Sequence, residues 1–411
     1  MFVRIGNTPR DYAWGSRTAI AELLGYAPSG APEAELWLGA HPGSPSAIVD
    51  PSVTDGARDL AAWIDRDPRV ALGVSGAAGE QPRLPYLMKV LAADRPLSLQ
   101  AHPSSEQAEE GFARENTLGL PLDSPERNYK DAFHKPELIY ALSETFDALS
   151  GYRDPAVSAG VLESLAETAD DDGRKLVGRL TARLRSGTAG EALRDSTAWL
   201  LGGDPDVRLL VDVVVAAAER AAADDNPDLA SAVDTVGLLA GAFPGDPGIV
   251  LALLLNRTTL RRGDVLYLPA GNIHAYLHGL GIELMAASDN VLRGGLTGKR
   301  VDVPELLSVL DFSPFTVTPL APEKPGPGLE TYRPDVPDFA LDVVRLGAEV
   351  PSTTVTLPGA ATALCTEGTL ELHGAGHAIR LSRGEAVFVT PDERGLEISG
   401  SGTVFIATPN R

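Results

Sequence analysis

The sequence predicts a mainly β protein with an α-helical insertion: two β-sandwich units with a helical domain set between them. Three observations predict it. Short extended stretches broken by Gly and Pro fill both ends of the 411-residue chain. An alanine- and leucine-rich stretch with helical spacing occupies the middle. Two segments, LRRGDVLYLPAGNIHAY and LSRGEAVFVTPDERGLE, repeat one pattern of Leu, Gly, acid, apolar strand and Pro turn. The expected boundaries are 1–152 plus 256–325 for the first sandwich, 153–255 for the helical insertion and 326–411 for the C-terminal sandwich.

Each element has its own warrant. In LSLQAHP, Ser98, Gln100 and His102 share one face of a strand, because strand side chains alternate. In the middle, Leu209, Val213, Ala216, Ala217 and Ala221 trace a helical stripe, with DDNP as its stop, and five or six helices are expected there. That stretch holds no His or Cys, so the chemistry is expected elsewhere. RRGDVLYLPAGNIHAYLHG reads as turn, strand, Pro-Ala-Gly turn and second strand. The Pro-rich PLAPEKPGPGLETYRPDVPD reads as a linker, followed by short strands.

Composition excludes several function classes. The chain has 35 Lys+Arg against 56 Asp+Glu and a formal net charge of -21. That balance argues against nucleic-acid or anionic-membrane partners, which need a basic face. An apolar fraction of 44% is enough for a real core. The single cysteine, Cys365, suits a reducing compartment. The start of the sequence lacks the pattern of a secretory signal, and the apolar runs at 209–218 and 249–255 fall short of the roughly 18 residues a membrane helix needs. A soluble, cytoplasmic, monomeric protein is expected.

Seven histidines frame the chemistry. His102 follows Gln100 at same-face spacing, His134 sits in HKPE beside Glu137, and His274 closes the Pro-Ala-Gly turn. Imidazole and carboxylate together suit zinc or another borderline divalent metal. On a strand His278 would share a face with His274 but lie roughly 13 Å away. His373 and His377, in a Gly-rich turn, read as solvent-exposed. Trp37 and Phe146 read as core, and Glu35 as a solvent-facing residue outside the site. In SDNVLRGGLTGKRVD, Arg293 and Lys299 bracket a Gly-Gly stretch; they are either scattered surface charges or a cationic clamp for a phosphate.

The GD-x-x-x-x-P-x-G-x-x-H pattern resembles that of jelly-roll cupins around a metal ligand. Beyond it, YAWGS, ELWLGAHPGSPS, LMKVLAADRPLSLQAHP, NYKDAFHKPELIYAL, FPGDPGIVLALLLN and GDVLYLPAGNIHAYLHGLGIELMAASDNVLRGGLTGK resemble the type I phosphomannose isomerases. The likeness runs from residue 6 to about 310. It implies a zinc site, one ion per chain, at Gln100, His102, Glu137 and His274. It places the active-site arginine at Arg293, with Asp289, Glu283, Tyr276, Lys299, Lys135 and His134 as neighbours. Trp14 and Lys89 would line the cavity and Ser98 would touch the phosphate, while Lys89 could equally snorkel from its strand. Where the family carries proline after Leu-Thr, this chain has Gly298, which loosens the loop before Lys299.

The implied reaction interconverts mannose 6-phosphate and fructose 6-phosphate through a cis-enediol. The base would be Lys135, which is favoured, or Glu283 or Asp289 with their pKa values raised by burial. Arg293 would stabilise the enediolate or the phosphate. The metal would act as a Lewis acid or as a template. Two other classes remain open: a metal cupin such as an iron oxygenase, which Gln100 and the Arg293 loop disfavour, and a sugar-phosphate binder without turnover.

Overall fold

The computed structural model describes residues 1–74, 82–221 and 226–410. They form two antiparallel sheets and several helices. The nine-stranded sheet runs Leu292–Arg293, Gln100–Ala101, His274–Ala286, Tyr86–Ala93 and Glu35–Leu38, with Glu137–Ala141, Thr145–Tyr152, Leu255–Arg261 and Val265–Leu268 paired beside this path. The ten-stranded sheet takes eight strands from residues 323–408 and two from the N-terminal stretch, Phe2–Gly6 and Ala47–Ile48. The N-terminal stretch therefore contributes to both sheets.

Alternation decides what each face of the nine-stranded sheet does. Leu36, Leu38, Met88, Val90, Ala92, Ile282, Leu284 and Ala286 enter one core with Phe388 and Phe405 of the other sheet. Their neighbours Trp37, Lys89 and Glu283 are register partners on the opposite face. The strand YLMKVLAA is buried along its whole length, yet it places a lysine on that second face. At the other end of the sheet, Leu99, Ala101, Ile273, Ala275 and Leu277 pack against the helical insertion.

The long strand His274–Ala286 serves both ends because it contains a bulge. Tyr276 pairs with Ala148 and His278 with Asp147, so two residues advance against one. Gly279 takes φ +134 at this point, and a Cβ there would meet Phe146 at 2.6 Å. The bulge switches parity. His274 and Tyr276 face inward before it, and Glu283 and Met285 after it. His278 sits at the switch and is exposed, so it shares no face with His274.

The helical stretch contains Pro155–Ala166, Asp171–Leu184, Ala189–Leu201, Pro205–Arg220, Pro227–Ala242 and the short Gly248–Ala252. Side-chain caps from Asp154, Asp170, Thr188, Asp204 and Asn226 start the first five. The stripe expected on Pro205–Arg220 was rotated. Val207, Leu210, Val211, Val214, Ala217 and Ala218 are buried, whereas Leu209 is 53% exposed. VRLLVDVVVAAA is apolar almost all round, so periodicity alone does not set its phase. Asp224 and Asp225 of the stop signal lie outside the described residues, and Asn226 is a helix cap.

Two further expectations are corrected. The N-terminal β-rich stretch also holds helices, among them Ser105–Thr117, closed by a Ser104/Gln107 capping box. The Pro-rich stretch is no plain linker, because Glu323–Gly326 and Leu329–Tyr332 pair as a hairpin at the sheet edge.

The sequence repeat has a structural counterpart. Gly263 and Gly384 both take positive φ, at +96 and +86. Asp264 accepts from Arg261 N at 2.8 Å and Glu385 from Ser382 N at 2.7 Å. A short strand follows each turn, Val265–Leu268 and Ala386–Val389.

Burial leaves one carboxyl in the second sheet titrating high. Asp342 lies between strands beside Thr331, and burial pushes its pKa up to about 6, against the opposing pull of the Thr331 hydroxyl and Arg333. Between the ordinary 3.8 and about 6 the folded chain holds this proton more tightly than the unfolded chain. Stability therefore falls as pH rises through that window. We predict that Asp342→Asn adds on the order of 2 kcal/mol at pH 8, a gain that shrinks as pH falls toward 4. Urea midpoints at the two pH values measure it, and an equal gain at both would refute the ionisation account.

Candidate metal centre and cavity

The four expected metal ligands all sit at or just beyond strand ends. Glu137 opens Glu137–Ala141, His274 opens His274–Ala286, and Gln100 pairs in register with His274. Gln100–Ala101 is only two residues long, so His102 lies just past it. Leu99 and Ala101 still enter the core on the opposite side, which turns Gln100 and His102 toward the cluster. The Pro-Ala-Gly turn closes on this segment, with Gly271 N donating to the His102 carbonyl at 2.8 Å.

His102 Nε2 lies 3.4 Å from Glu137 Oε1, and His274 Nε2 lies 3.3 Å from Glu137 Oε2. Their other ring nitrogens face main-chain carbonyls, His102 Nδ1 that of Asn290 at 2.7 Å and His274 Nδ1 that of Asn272 at 3.0 Å. A carbonyl can only accept, so each Nδ1 carries the proton and each Nε2 lone pair points at the cluster. The Gln100 amide stands 3.4 Å from His274 Nε2, and a flip of its end would present oxygen instead of nitrogen.

These donors fit a divalent ion. The ligand atoms of His102, Glu137 and His274 lie within 4.8 Å of one another and all three residues are buried. His102 Nε2 and Glu137 Oε2 are buried without a hydrogen-bond partner, a costly arrangement that a cation would relieve. Two imidazoles, one carboxylate and an amide make a borderline donor set suited to zinc. Burial alone would raise the Glu137 pKa, but Lys135 and the imidazoles outweigh it and hold the carboxylate ionised well below its ordinary range. Burial, with the nearby Lys135 charge, pushes the His102 imidazole down to about 4, which keeps it neutral and able to ligate.

Beside the cluster opens a cavity of about 940 Å³. Gln100, Lys135, Lys89, Ser98, Asp289, Arg293, Lys299 and Trp14 all line it. Lys135 Nζ touches Glu137 at 2.8 Å. Arg293 pairs in register with Gln100, so Arg293, Gln100 and His274 form one row across three strands. Burial lowers the Arg293 pKa, and the Arg293 charge lowers that of Lys299. Two cations thus stand close together on a chain that is acidic overall.

Other expected site residues lie elsewhere. His134 is turned out of the cavity and meets Asp338 at 2.7 Å, because adjacent residues of the extended HKPE segment point to opposite sides. Tyr276 and Glu283 are buried behind the lining, at 1% and 3% exposure. Burial raises both pKa values, with Lys89 opposing the rise at Glu283. Asp289 departs from expectation. Burial would raise it, but the His41 hydrogen bond and charge outweigh that and lower it. His373 and His377 are on the exposed side of the second sheet, and His377 meets Glu393 at 2.6 Å. Phe146 is core, whereas Trp37 is half-buried and lines the cavity.

The sequence reading missed Glu35 and His41. Glu35 is buried, lies 3.6 Å from Lys89 Nζ and accepts from Trp37 Nε1 at 2.8 Å. Glu283 grips the same lysine at 2.8 Å, and the two carboxylates, with Glu137, raise its pKa despite the burial that would lower it. The available signal was the alternation in ELWL, which sets Glu35 and Trp37 opposite Leu36 and Leu38. His41 accepts from Gly43 N at Nδ1, so its Nε2 donates to Asp289 at 3.2 Å.

Residues 2–155 match the family described as phosphomannose isomerase type I, catalytic domain. The chain is 36% identical over 400 residues to the mannose-6-phosphate isomerase of Salmonella typhimurium, covering 96% of each. It is 36% identical over 404 residues to that of Escherichia coli, again covering 96% of each. A crystal structure of a zinc-bound mannose 6-phosphate isomerase matches with a TM-score of 0.85 and 34% identity over 100% of both chains.

Proposed function

The chain belongs to the type I phosphomannose isomerases, and from that premise we propose how its residues carry out the family's reaction. It is a zinc-dependent aldose–ketose isomerase that interconverts mannose 6-phosphate and fructose 6-phosphate. The observation that carries this reading is the buried His102, Glu137 and His274 cluster, whose neighbours Gln100 and Lys135 line a cavity of unlike charges. Gln100 is the fourth zinc ligand in our reading, supported by its register with His274. Bound there, zinc supplies positive charge that polarises or orients the sugar's oxygens.

The protein residues divide the remaining tasks. Arg293 and Lys299 receive the phosphate, since two adjacent cations are costly alone and favourable around a dianion. Lys135, on the cavity wall beside the cluster, moves the proton between C1 and C2 through a cis-enediol. Asp289 stays ionised, oriented by His41, and contacts sugar hydroxyls. Glu283 and Tyr276 act from behind the lining by holding Lys89 and the strand that presents it. Trp14 and Ser98 close the wall. His134 is left out of the chemistry, because it faces Asp338.

We read the architecture as two jelly-roll units of cupin type, in line with the matching Gly-acid turns at Gly263 and Gly384. The catalytic unit comprises 1–152 and 256–325, the helical insertion 153–255 and the second unit 326–411. The first boundary is qualified by the N-terminal strands that join the second sheet. No helix among the described residues is long and apolar enough to cross a membrane. A cytoplasmic monomer remains our reading, with a sugar phosphate as its small-molecule partner.

A coupled assay for fructose 6-phosphate tests the function. We predict turnover of mannose 6-phosphate by the purified protein, its loss after chelation and its return with added zinc. A folded, zinc-loaded sample without turnover would sink the reading, and retained sugar-phosphate binding would then point to a sensor.

A further inference from the structure

We infer that Asp246, in the loop that follows the last long helix of the insertion, is a positioning residue for the cationic end of the cavity. The inference rests on the reading of Arg293 and Lys299 as a phosphate clamp. It gives the helical insertion, which carries no His or Cys, a part in substrate binding.

The segment from Arg293 to Lys299 has two anchors of different origin. On the near side, Gly294 N donates to the Leu99 carbonyl at 2.8 Å and Leu99 N to the Gly295 carbonyl at 3.1 Å. These bonds tie Arg293 to the strand that delivers Gln100 and His102. On the far side the anchor comes from the insertion. Asp246 Oδ1 accepts from Gly248 N at 2.7 Å, and Oδ2 accepts from Thr297 N at 3.2 Å. Thr297 Oγ1 in turn accepts from Lys299 N at 3.1 Å. Lys299 is therefore placed through Thr297, and Thr297 through Asp246.

The backbone between the anchors needs such support. Leu296 sits at φ +53, a left-handed conformation that costs a non-glycine residue roughly 1–2 kcal/mol. It persists only where surroundings over-determine it. Its side chain is 1% exposed within the core of the insertion. Its amide rests on Gly248, where an added Cβ would lie 2.8 Å from Leu296 N. Gly295, at φ +114, comes equally close, since a Cβ there would meet Gly248 Cα at 3.0 Å. By contrast Gly298 has open space around it and no ring to stiffen it. The carboxylate of Asp246 thus supplies the order that the Leu-Thr-Gly-Lys sequence lacks. The same insertion places Leu238 and Phe243 on the cavity wall.

The test uses full-length, zinc-loaded protein, with inorganic phosphate as a competitive inhibitor. Asp246→Ala is expected to raise both KM and the phosphate inhibition constant about tenfold, the scale of one lost charge-assisted hydrogen bond. Its kcat should stay within about twofold, with unchanged zinc content. Asp246→Asn keeps one accepting oxygen, so its effect should be smaller, about threefold. This variant carries the test if Asp246→Ala does not fold. Gly248→Ala reaches the same loop from the other side and should show the same split between KM and kcat. Unchanged phosphate inhibition in these variants, or a fall in kcat alone, overturns the inference. Lys299→Met separates the two readings. If it weakens phosphate inhibition while the Asp246 variants do not, the clamp stands and the positioning role fails. If it leaves inhibition unchanged, the clamp fails and takes the positioning role with it.

Discussion

Replacing Glu137 with alanine is expected to give a folded protein that loses its zinc on dialysis and at least about a thousandfold in turnover, the several kcal/mol that a catalytic metal supplies. The reason is charge. Of the four ligands assigned, only Glu137 is anionic, and it bridges both imidazoles at 3.4 and 3.3 Å. Without it a dication would face two neutral rings, a neutral amide and the Lys135 ammonium, which now sits 2.8 Å from the lost carboxylate. Glu137→Gln restores the shape and a neutral oxygen but no charge. It should recover part of the zinc affinity and so separate donor geometry from electrostatics. His278→Ala is the matched control, because His278 is exposed at the bulge and touches none of the ligands. Metal analysis after dialysis, with activity on the same samples, decides the matter. Full zinc occupancy and normal turnover in Glu137→Ala would remove this cluster as the metal site.

Why these ligands were legible, and others were not, follows from how each reaches the site. The full candidate set with Gln100 and Glu137 comes from the family resemblance, whereas His102 and His274 stand out from local alternation and turn chemistry. The two-sheet character was legible for the same reason. What failed were questions that local pattern does not decide. His134 and Lys135 are adjacent in an extended segment, and only the packing of Asp338, some 200 positions later, determines which of them faces inward. The buried stripe on Pro205–Arg220 differs from the one periodicity suggests because an almost uniformly apolar helix has no unique phase. Plain alternation sets His278 on the face of His274 because it does not count a bulge, of which Gly279 is the local trace. Burial alone would make Asp289 titrate high, and the partner that reverses the sign, His41, comes from a loop about 250 residues earlier.

The same reasoning explains a buried charge group of which the sequence places Lys89 and Glu283 in the site but not Glu35. Glu35, Lys89 and Glu283 occupy three neighbouring strands, and the lysine is shared by both carboxylates. Such a group is costly to bury unless every charge is paired. Here Glu35 and Lys89 line the cavity, Glu283 lies behind them, and Trp37 sits beneath the ammonium at 5.0 Å. It fixes Lys89 in place, and a lysine so held is poorly suited to give up its proton. Lys135 meets a single carboxylate, Glu137 at 2.8 Å, and lines the cavity beside the ligand cluster, which makes it our choice for proton transfer.

Lys135→Met is therefore expected to lower kcat by about 10² to 10⁴, the usual range for a removed proton-transfer group. KM should change little, since Arg293 and Lys299 still hold the phosphate. Zinc should be retained, because the variant removes a repulsive neighbour and no ligand. Proton exchange supplies the sharper readout. In D₂O the native enzyme should wash deuterium into C2 of mannose 6-phosphate as it equilibrates, and Lys135→Met should lose exchange and isomerisation together. Glu283→Gln provides the opposing case. Its carboxyl is raised by burial and by neighbouring acids, which would suit a base, but it is 3% exposed and lies behind the lining. If Glu283→Gln abolishes exchange while Lys135→Met preserves it, the base is the glutamate, reached by a rearrangement of the wall. If the lysine variant alone is silent, the proton moves at Lys135, and the Glu35, Lys89 and Glu283 group serves to hold the wall around it.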